Sequence, residues 1–204
     1  MKIAVFGATG RVGKCVVAEA DRRCHDVTAL SRHQAELPAG IAWQRGDLSD
    51  PATVAAIASR HDAVVTANGP SRVPGEDPFD FAPLIAQVAS AVGSTRLLVI
   101  GGAGSLEAAP GIRLVDTPEF PEEYKPEALA TAAALDYLRS SPNPNWTYLS
   151  PAPVFPAGTP TGSYVTGTDS PAGTAISAED FAIALIDEIE NPKHRNRRFT
   201  VAAT

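Results

Sequence analysis

The sequence predicts an α/β fold, a doubly wound parallel sheet with small C-terminal loops at one end. Three observations carry this expectation. The chain opens on a short apolar run, Lys2–Phe6, followed by glycines at positions 7, 10 and 13 and then a helix-like stretch. Strand-like and helix-like segments alternate from there to the C-terminus, which implies right-handed βαβ units around a parallel sheet. The run Ala63-Val64-Val65-Thr66-Ala67 is nearly continuous in apolar residues, as parallel strands covered on both faces are.

The elements follow in order. Residues 12–23 have helical character. Asp26–Ser31 reads as a second strand, with β-branched residues and a polar end. Residues 41–45 form a short third strand ending in Gly46-Asp47-Leu48. Asp50 caps a helix reaching about Ser59, with Pro51 in its first turn. After the fourth strand, 63–67, a Pro- and Gly-rich loop covers 68–78. Residues 79–92 place Phe81, Leu84, Ile85, Val88 and Ala89 on one stripe at helical period. Arg96–Ile100 is the clearest buried strand, and Gly101-Gly102-Ala103-Gly104-Ser105 ends it. An irregular stretch to Pro121 precedes a helix over 125–139 and a sixth strand over 146–150. Residues 151–174 hold five prolines and four glycines and read as loop with a short hairpin. Ser177 caps a helix over 178–190, with Asp180 in its first turn. Residues 198–202 close the sheet.

At 204 residues the chain suits one domain over its full length, with a substantial core. Its 17 basic residues against 23 acidic ones give a net charge of −6 without a basic block, which argues against nucleic acid as a partner. The basic cluster 194–198 reads as a solvated loop. No run approaches the roughly 18 apolar residues of a membrane span. The first strand starts at Lys2, which leaves no room for a signal peptide, so a cytoplasmic location is expected. Cys15 and Cys24 fall in the first helix region without metal-ligand spacing and read as reduced thiols. His25, His33, His61 and His194 are scattered, and no metal site is expected.

In open parallel sheets, ligands sit beyond the carboxyl ends of the strands. At the first such end, Gly7 leaves the strand, Gly10 lets a phosphate approach the backbone without meeting a Cβ, and Gly13 lets the helix pack close. The helix N-terminus then offers N–H groups to a diphosphate, so a dinucleotide site is expected. After the second strand the chain carries Ser31-Arg32-His33 and no acid. An acid there would accept from an NAD ribose, whereas an arginine pairs with a 2′-phosphate, so NADP(H) is favoured over NAD(H). Arg11 is a candidate to join Arg32. Asp47 and Leu48 either seat the adenine or, for Asp47, cap the next helix. Ala67, Asn68 and Gly69 supply small residues where the cofactor backbone would cross.

Together the Gly7–Gly13 turn, Gly46-Asp47, Asn68-Gly69, Ile100–Leu106, Trp146–Ala152, Thr161-Gly162 with Tyr164, and the segment 176–188 resemble the atypical short-chain dehydrogenases. The match is closest to their NAD(P)H-binding, NADH-flavin-reductase-like group, related to biliverdin reductase B and NmrA-like proteins. It runs over essentially the whole chain. It implies a Rossmann fold with the cofactor along the residues just named and Thr9, Val12, Gly101, Gly102, Pro151 and Val154. It also implies the nicotinamide near Ser105 and the loop 151–155.

Ordinary members of that superfamily use Ser, Tyr and Lys, with the lysine four residues after the tyrosine to lower its pKa. Here Tyr124 is followed four residues later by Ala128, and its neighbour Lys125 points about 100° away on a helix. Tyr124 reads either as a catalytic hydroxyl or as a rim residue, and Ser105 either as a donor to substrate or as a cap of its own loop. Flavin reduction needs no such relay, since stacking of two rings suffices. Phe155, Tyr164 and Pro153 are candidates for an apolar stacking wall. The leading expectation is therefore a reductase passing hydride from NADPH to a flavin or similarly flat small molecule. The rivals are a non-catalytic NADP(H) sensor like the NmrA-like proteins and a nucleotide-sugar epimerase or dehydratase. The sequence is silent on oligomeric state.

Overall fold

A computed structural model describes residues 1–34, 37–71, 75–143 and 145–204, so positions 72–74 of the expected loop lie outside the described residues. Among the described residues the strands are β1 (Lys2–Phe6), β2 (Asp26–Ser31), β3 (Ala42–Arg45), β4 (Ala63–Thr66), β5 (Arg96–Ile100), β6 (Glu107–Ala109), β7 (Ile112–Arg113), β8 (Trp146–Pro151), β9 (Tyr164–Gly167) and β10 (Arg197–Ala203). Among the described residues the α-helices are α1 (Arg11–Arg22), α2 (Pro51–Ala58), α3 (Phe81–Ala91), α4 (Lys125–Ser140) and α5 (Ala178–Glu190).

Eight strands form one sheet in the order β3-β2-β1-β4-β5-β8-β10-β9, with β6 and β7 as a separate hairpin. Every neighbouring pair is parallel except β9 with β10. Successive strand residues point to opposite faces, and both faces are covered. Ile3, Val5, Val65 and Leu98 pack with Val16 and Val17 of α1 and Phe181 and Leu185 of α5. Ala4, Phe6, Val64, Leu97 and Val99 pack with Val54 of α2, Ile85 and Val88 of α3, and Leu135 of α4. This is a Rossmann-type doubly wound sheet. Its order reverses between β1 and β4, and that switch point opens a crevice at the carboxyl ends.

Local signals place the helices. Asp50 accepts from Ala52 N at 3.1 Å to start α2, and Ser177 accepts from Asp180 N at 3.0 Å to start α5. Three regions depart from expectation. The irregular stretch after β5 contains the β6–β7 hairpin, which turns at Gly111 with φ +77°. The 151–174 stretch makes no hairpin of its own; β9 pairs antiparallel with β10 as an edge strand. Cys24 lies beyond α1, in a left-handed conformation at φ +60°.

The cluster 194–198 is only in part the solvated loop expected of it: Arg195, Asn196 and Arg197 are exposed, but His194 and Arg198 are not. His194 Nδ1 lies 2.8 Å from Glu188 Oε2, and its ring stacks on Phe199 with centroids 4.1 Å apart. The Arg198 side chain, inside β10, is only 2% exposed. Alternation along a strand buries it, whatever the charge of its neighbours.

Candidate functional site

At the end of β1, Gly7 takes φ +74°, and both its N–H and that of Ala8 donate to Leu30 O. The chain then enters α1 with Gly10 as N-cap. No side chain caps this helix, and no acid stands in its first turn. The first-turn N–H groups of a helix have no intrahelical partner, so those of Arg11, Val12 and Gly13 are available to an anion.

The three glycines differ in what the fold asks of them. A Cβ on Gly13 would sit 2.1 Å from Gly7 O, and one on Gly7 2.8 Å from the Ala67 backbone. On Gly10 it would meet only Gly7 O, at 3.3 Å. The fold itself therefore demands Gly7 and Gly13. Gly10 keeps open a space that a phosphate would use. Gly69 likewise faces open space, and Asn68 carries a buried Oδ1 with no hydrogen-bond partner. These features fit a dinucleotide.

The crevice divides on either side of residues 67–69. One cleft, about 470 Å³, is lined by Gly7, Thr9, Gly10, Ser31, Arg32, Asp47, Leu48, Ala67, Asn68 and Gly69. The other, about 980 Å³, shares the last three and adds Arg11, Val12, Gly101, Gly102, Tyr124, Pro151, Pro153 and Phe155. Gly13, Ser105 and Val154 lie outside both linings. Gly13 is the packing contact between α1 and the turn. Val154 is bound through its backbone to Thr174 and Ile176, and its side chain is exposed.

Within the smaller cleft, the Ser31 hydroxyl donates to His33 O at 2.7 Å and accepts from Trp43 Nε1 at 2.9 Å. Arg32 stands exposed at the rim. Asp47 accepts from Ser49 N at 2.9 Å and Ser49 Oγ at 2.8 Å. Those bonds, with the nearby Arg32 charge, hold its carboxyl below the usual range. The cap of α2 is Asp50, so Asp47 is not that helix's cap and stays in the cleft wall.

Arg11 turns away from Arg32. Its Nη1 donates to Phe155 O at 2.7 Å, and its guanidinium lies 4.7 Å from the centre of the Phe155 ring. Arg11 thus ties the glycine turn to the 151–155 loop instead of joining Arg32. Phe155 is braced from behind by Phe181, with ring centroids 4.9 Å apart. Tyr164 faces elsewhere: its hydroxyl donates to Asp187, and burial pushes its pKa up.

The loop after β5 is held from beneath. Its residue Ser105 is 5% exposed; the hydroxyl donates to Gly102 O at 3.4 Å and accepts from Arg198 Nη1 at 3.3 Å. The buried Tyr148 hydroxyl accepts from Gly102 N at 3.3 Å and donates to Thr131 O at 2.8 Å. Burial pushes its pKa up to about 12, so that donor is kept. Sequence reasoning missed Tyr148, Thr131, Trp43 and Arg198. For Tyr148 a signal existed: every second residue of β8 points at the face that supports the glycine loop. Tyr124, 53% exposed, sits at the start of α4, and the adjacent Lys125 ammonium is 2.5 Å from Glu122.

Among the described residues, no helix is long and apolar enough to cross a membrane. YwnB of Bacillus subtilis (strain 168) is 40% identical to the chain over 214 residues, covering 100% of this chain and 99% of that protein. The crystal structure of SP1627 from Streptococcus pneumoniae TIGR4, described as a "putative NADH-flavin reductase", is 37% identical with a TM-score of 0.90 over 100% of both chains. That of a "putative epimerase" from Bacteroides thetaiotaomicron is 35% identical with a TM-score of 0.87, covering 99% of this chain and 96% of that one. A family model described as NAD(P)H-binding matches residues 7–192, and the chain belongs to that NAD(P)H-binding family.

Proposed function

We propose that the protein is an NADPH-dependent reductase that passes a hydride to a flavin or a similarly flat acceptor. The observation that carries this reading is the larger cavity. It has about 980 Å³ of space walled by Phe155, Pro153, Pro121 and Ile100, with no tyrosine–lysine pair at the required spacing. The Lys125 ammonium pairs with Glu122. SP1627, a full-length relative, bears a flavin-reductase description that agrees with this reading.

When bound, the nicotinamide supplies the hydride. The first-turn N–H groups of α1 hold the diphosphate, and Gly10 and Gly69 leave room for it. Arg32 pairs with the 2′-phosphate, while Asp47 and Leu48 border the adenine. Phe155 and Pro153 stack the acceptor, so the protein acts by proximity and orientation, with water as proton source.

A non-catalytic NADP(H) sensor would share the missing acid–base pair. The test is NADPH oxidation against a panel of riboflavin, FMN and quinone acceptors. Acceptor-dependent oxidation, faster with NADPH than with NADH, is the expected result. Tight NADPH binding without oxidation by any acceptor supports the sensor instead.

A further inference from the structure

Arg198 is a buried cation at the back of the larger cavity. It stands opposite Tyr148 in the β8–β10 register. Its Nη1 donates to Ser105 O at 2.5 Å and to Ser105 Oγ at 3.3 Å. Nη2 donates to Asp169 O at 3.3 Å and to the Asp169 carboxylate. Asp169 O also accepts from Glu107 N at 2.8 Å. One guanidinium therefore joins three segments: β10, the loop after β9, and the glycine loop after β5, whose residues 101–104 form a wall of the cavity.

A planar fork with five donors suits this junction, because it binds two carbonyls and a carboxylate at fixed angles. Stability alone is a weak reason to keep such a charge. Replacing a buried ion pair by apolar residues of similar volume is often neutral or stabilising. Arg198 also leaves its Nε without a partner, a further cost of burial. The geometry it imposes is the better reason. Residues 101–104 follow β5 and end on Ser105, and Arg198 holds Ser105 by both its backbone and its side chain.

We infer that Arg198 is a positioning residue for the hydride-transfer end of the cavity: by holding Ser105 and Asp169, it sets where the 101–104 wall stands relative to the nicotinamide and the acceptor. The inference rests on the reductase reading above. Arg198 lines neither cleft, and it acts through Ser105.

The test uses Arg198→Met, Arg198→Lys and Asp169→Asn in the full chain. The Asp169 carboxylate is 54% exposed, so its variant folds even if Arg198→Met does not. Four quantities are measured below the melting transition: NADPH affinity, the emission of bound NADPH, kcat and KM for riboflavin, and hydrogen exchange of the 101–105 amides. A displacement of about 1 Å costs on the order of a hundredfold in rate, and a partial one about tenfold. Arg198→Met is therefore expected to lower kcat by about tenfold or more, with NADPH affinity within about threefold of the parent. Arg198→Lys recovers part of the rate, and Asp169→Asn falls between. In the same order, exchange at 101–105 quickens and the bound NADPH emission moves toward that of free nucleotide.

Unchanged kcat, emission and exchange in the folded variants overturn the inference. So does a parallel fall of affinity, kcat and thermal midpoint in which lysine does no better than methionine, since that marks a purely structural residue. If none of the acceptors makes the parent protein oxidise NADPH, the reductase reading fails. Emission and exchange then still decide whether Arg198 orders the wall around the nicotinamide.

Discussion

Two glycine-rich segments border the cavity, one at residues 7–13 and one at 101–104, and they part at Gly10: the fold demands Gly7 and Gly13, as it demands the glycines of the second segment, but it does not demand Gly10. In the first, Gly10 has a common backbone conformation, and its missing Cβ faces open space apart from Gly7 O. In the second, every glycine makes room for the protein's own side chains. An added Cβ would lie 2.0 Å from the Tyr148 ring at Gly101, 2.8 Å from Thr131 Oγ1 at Gly102, and 2.6 Å from Ala128 Cβ at Gly104. The first segment leaves N–H groups free for a ligand. The second presses its back onto β8 and α4 and presents a smooth wall. Similar composition therefore marks a binding turn in one place and a packing seam in the other.

Substitution separates the two. Gly10→Val should abolish NADPH binding, because the branched side chain takes the space left for the diphosphate. Its cost to stability is that of a poorer N-cap, ~1 kcal/mol, which is about 2–4 °C in thermal midpoint for a chain of this size. Gly101→Ala should do the reverse. Overpacking against the buried Tyr148 ring costs roughly 1–3 kcal/mol, or about 2–12 °C, while the folded protein still binds nucleotide. Titration with NADPH beside a thermal melt reads both. Normal binding by Gly10→Val makes the first turn structural after all and erases the contrast.

Arg32 tests whether the smaller cleft also chooses between cofactors. A charge-assisted bond to the 2′-phosphate is worth roughly 1.5–3 kcal/mol. Arg32→Ala should weaken NADPH by about ten- to a hundredfold and leave NADH nearly unchanged. Equal losses for the two cofactors would remove Arg32 from the phosphate site.

The elements that sequence reasoning found were those written in neighbouring residues. The strand, glycines and helix start of 2–13 lie within a dozen positions, and the Asp50-Pro51 and Ser177 caps act over two or three. Strand ends were legible as the candidate site because ligands gather there in any open parallel sheet, and the two clefts open there. What escaped depended on distant partners. The direction of Arg11 is set by Phe155, 144 positions away, and the burial of Arg198 by Ser105, 93 positions away. The sequence places Arg198 at the start of the closing strand, but the cluster 194–198 carries no local sign that its side chain points inward. Ser105 was placed beside the nicotinamide by the resemblance to the atypical short-chain dehydrogenases, yet its hydroxyl faces the interior. Its influence on the cavity runs through the backbone.

Asp180 extends the contrast to the loop before β9. Burial pushes its carboxyl up, but Gly162 N and Thr161 N, with the Thr161 and Ser177 hydroxyls, outweigh that and leave it below its ordinary value of 3.8. A depressed carboxyl contributes stability above its unfolded pKa and loses it as pH falls through the folded one. Near neutral pH, Asp180→Asn should cost ~1.5–3 kcal/mol, the worth of hydrogen bonds to a charged group. The gap to the parent should close as pH drops below about 4. Urea titrations across that range would show it. A gap that persists in acid would mean that shape, not charge, anchors residues 161–162.

The smallest expected effect is the most informative about mechanism. Tyr124 is the exposed hydroxyl on the rim of the larger cavity, opposite in character to the buried Tyr148 hydroxyl that supports its wall. If hydride passes between stacked rings, no essential proton leaves Tyr124, and Tyr124→Phe should change the NADPH–riboflavin rate by about two- to fivefold, far below the roughly 10²–10⁴-fold that a general acid or base contributes. Lys125 argues in the same direction. Its ammonium is engaged by Glu122, and Ala128 stands where the superfamily's lysine would. Steady-state rates with riboflavin decide between the two. A loss above about a hundredfold in Tyr124→Phe would return the proton to Tyr124 and make this rim, not the apolar wall, the seat of the chemistry.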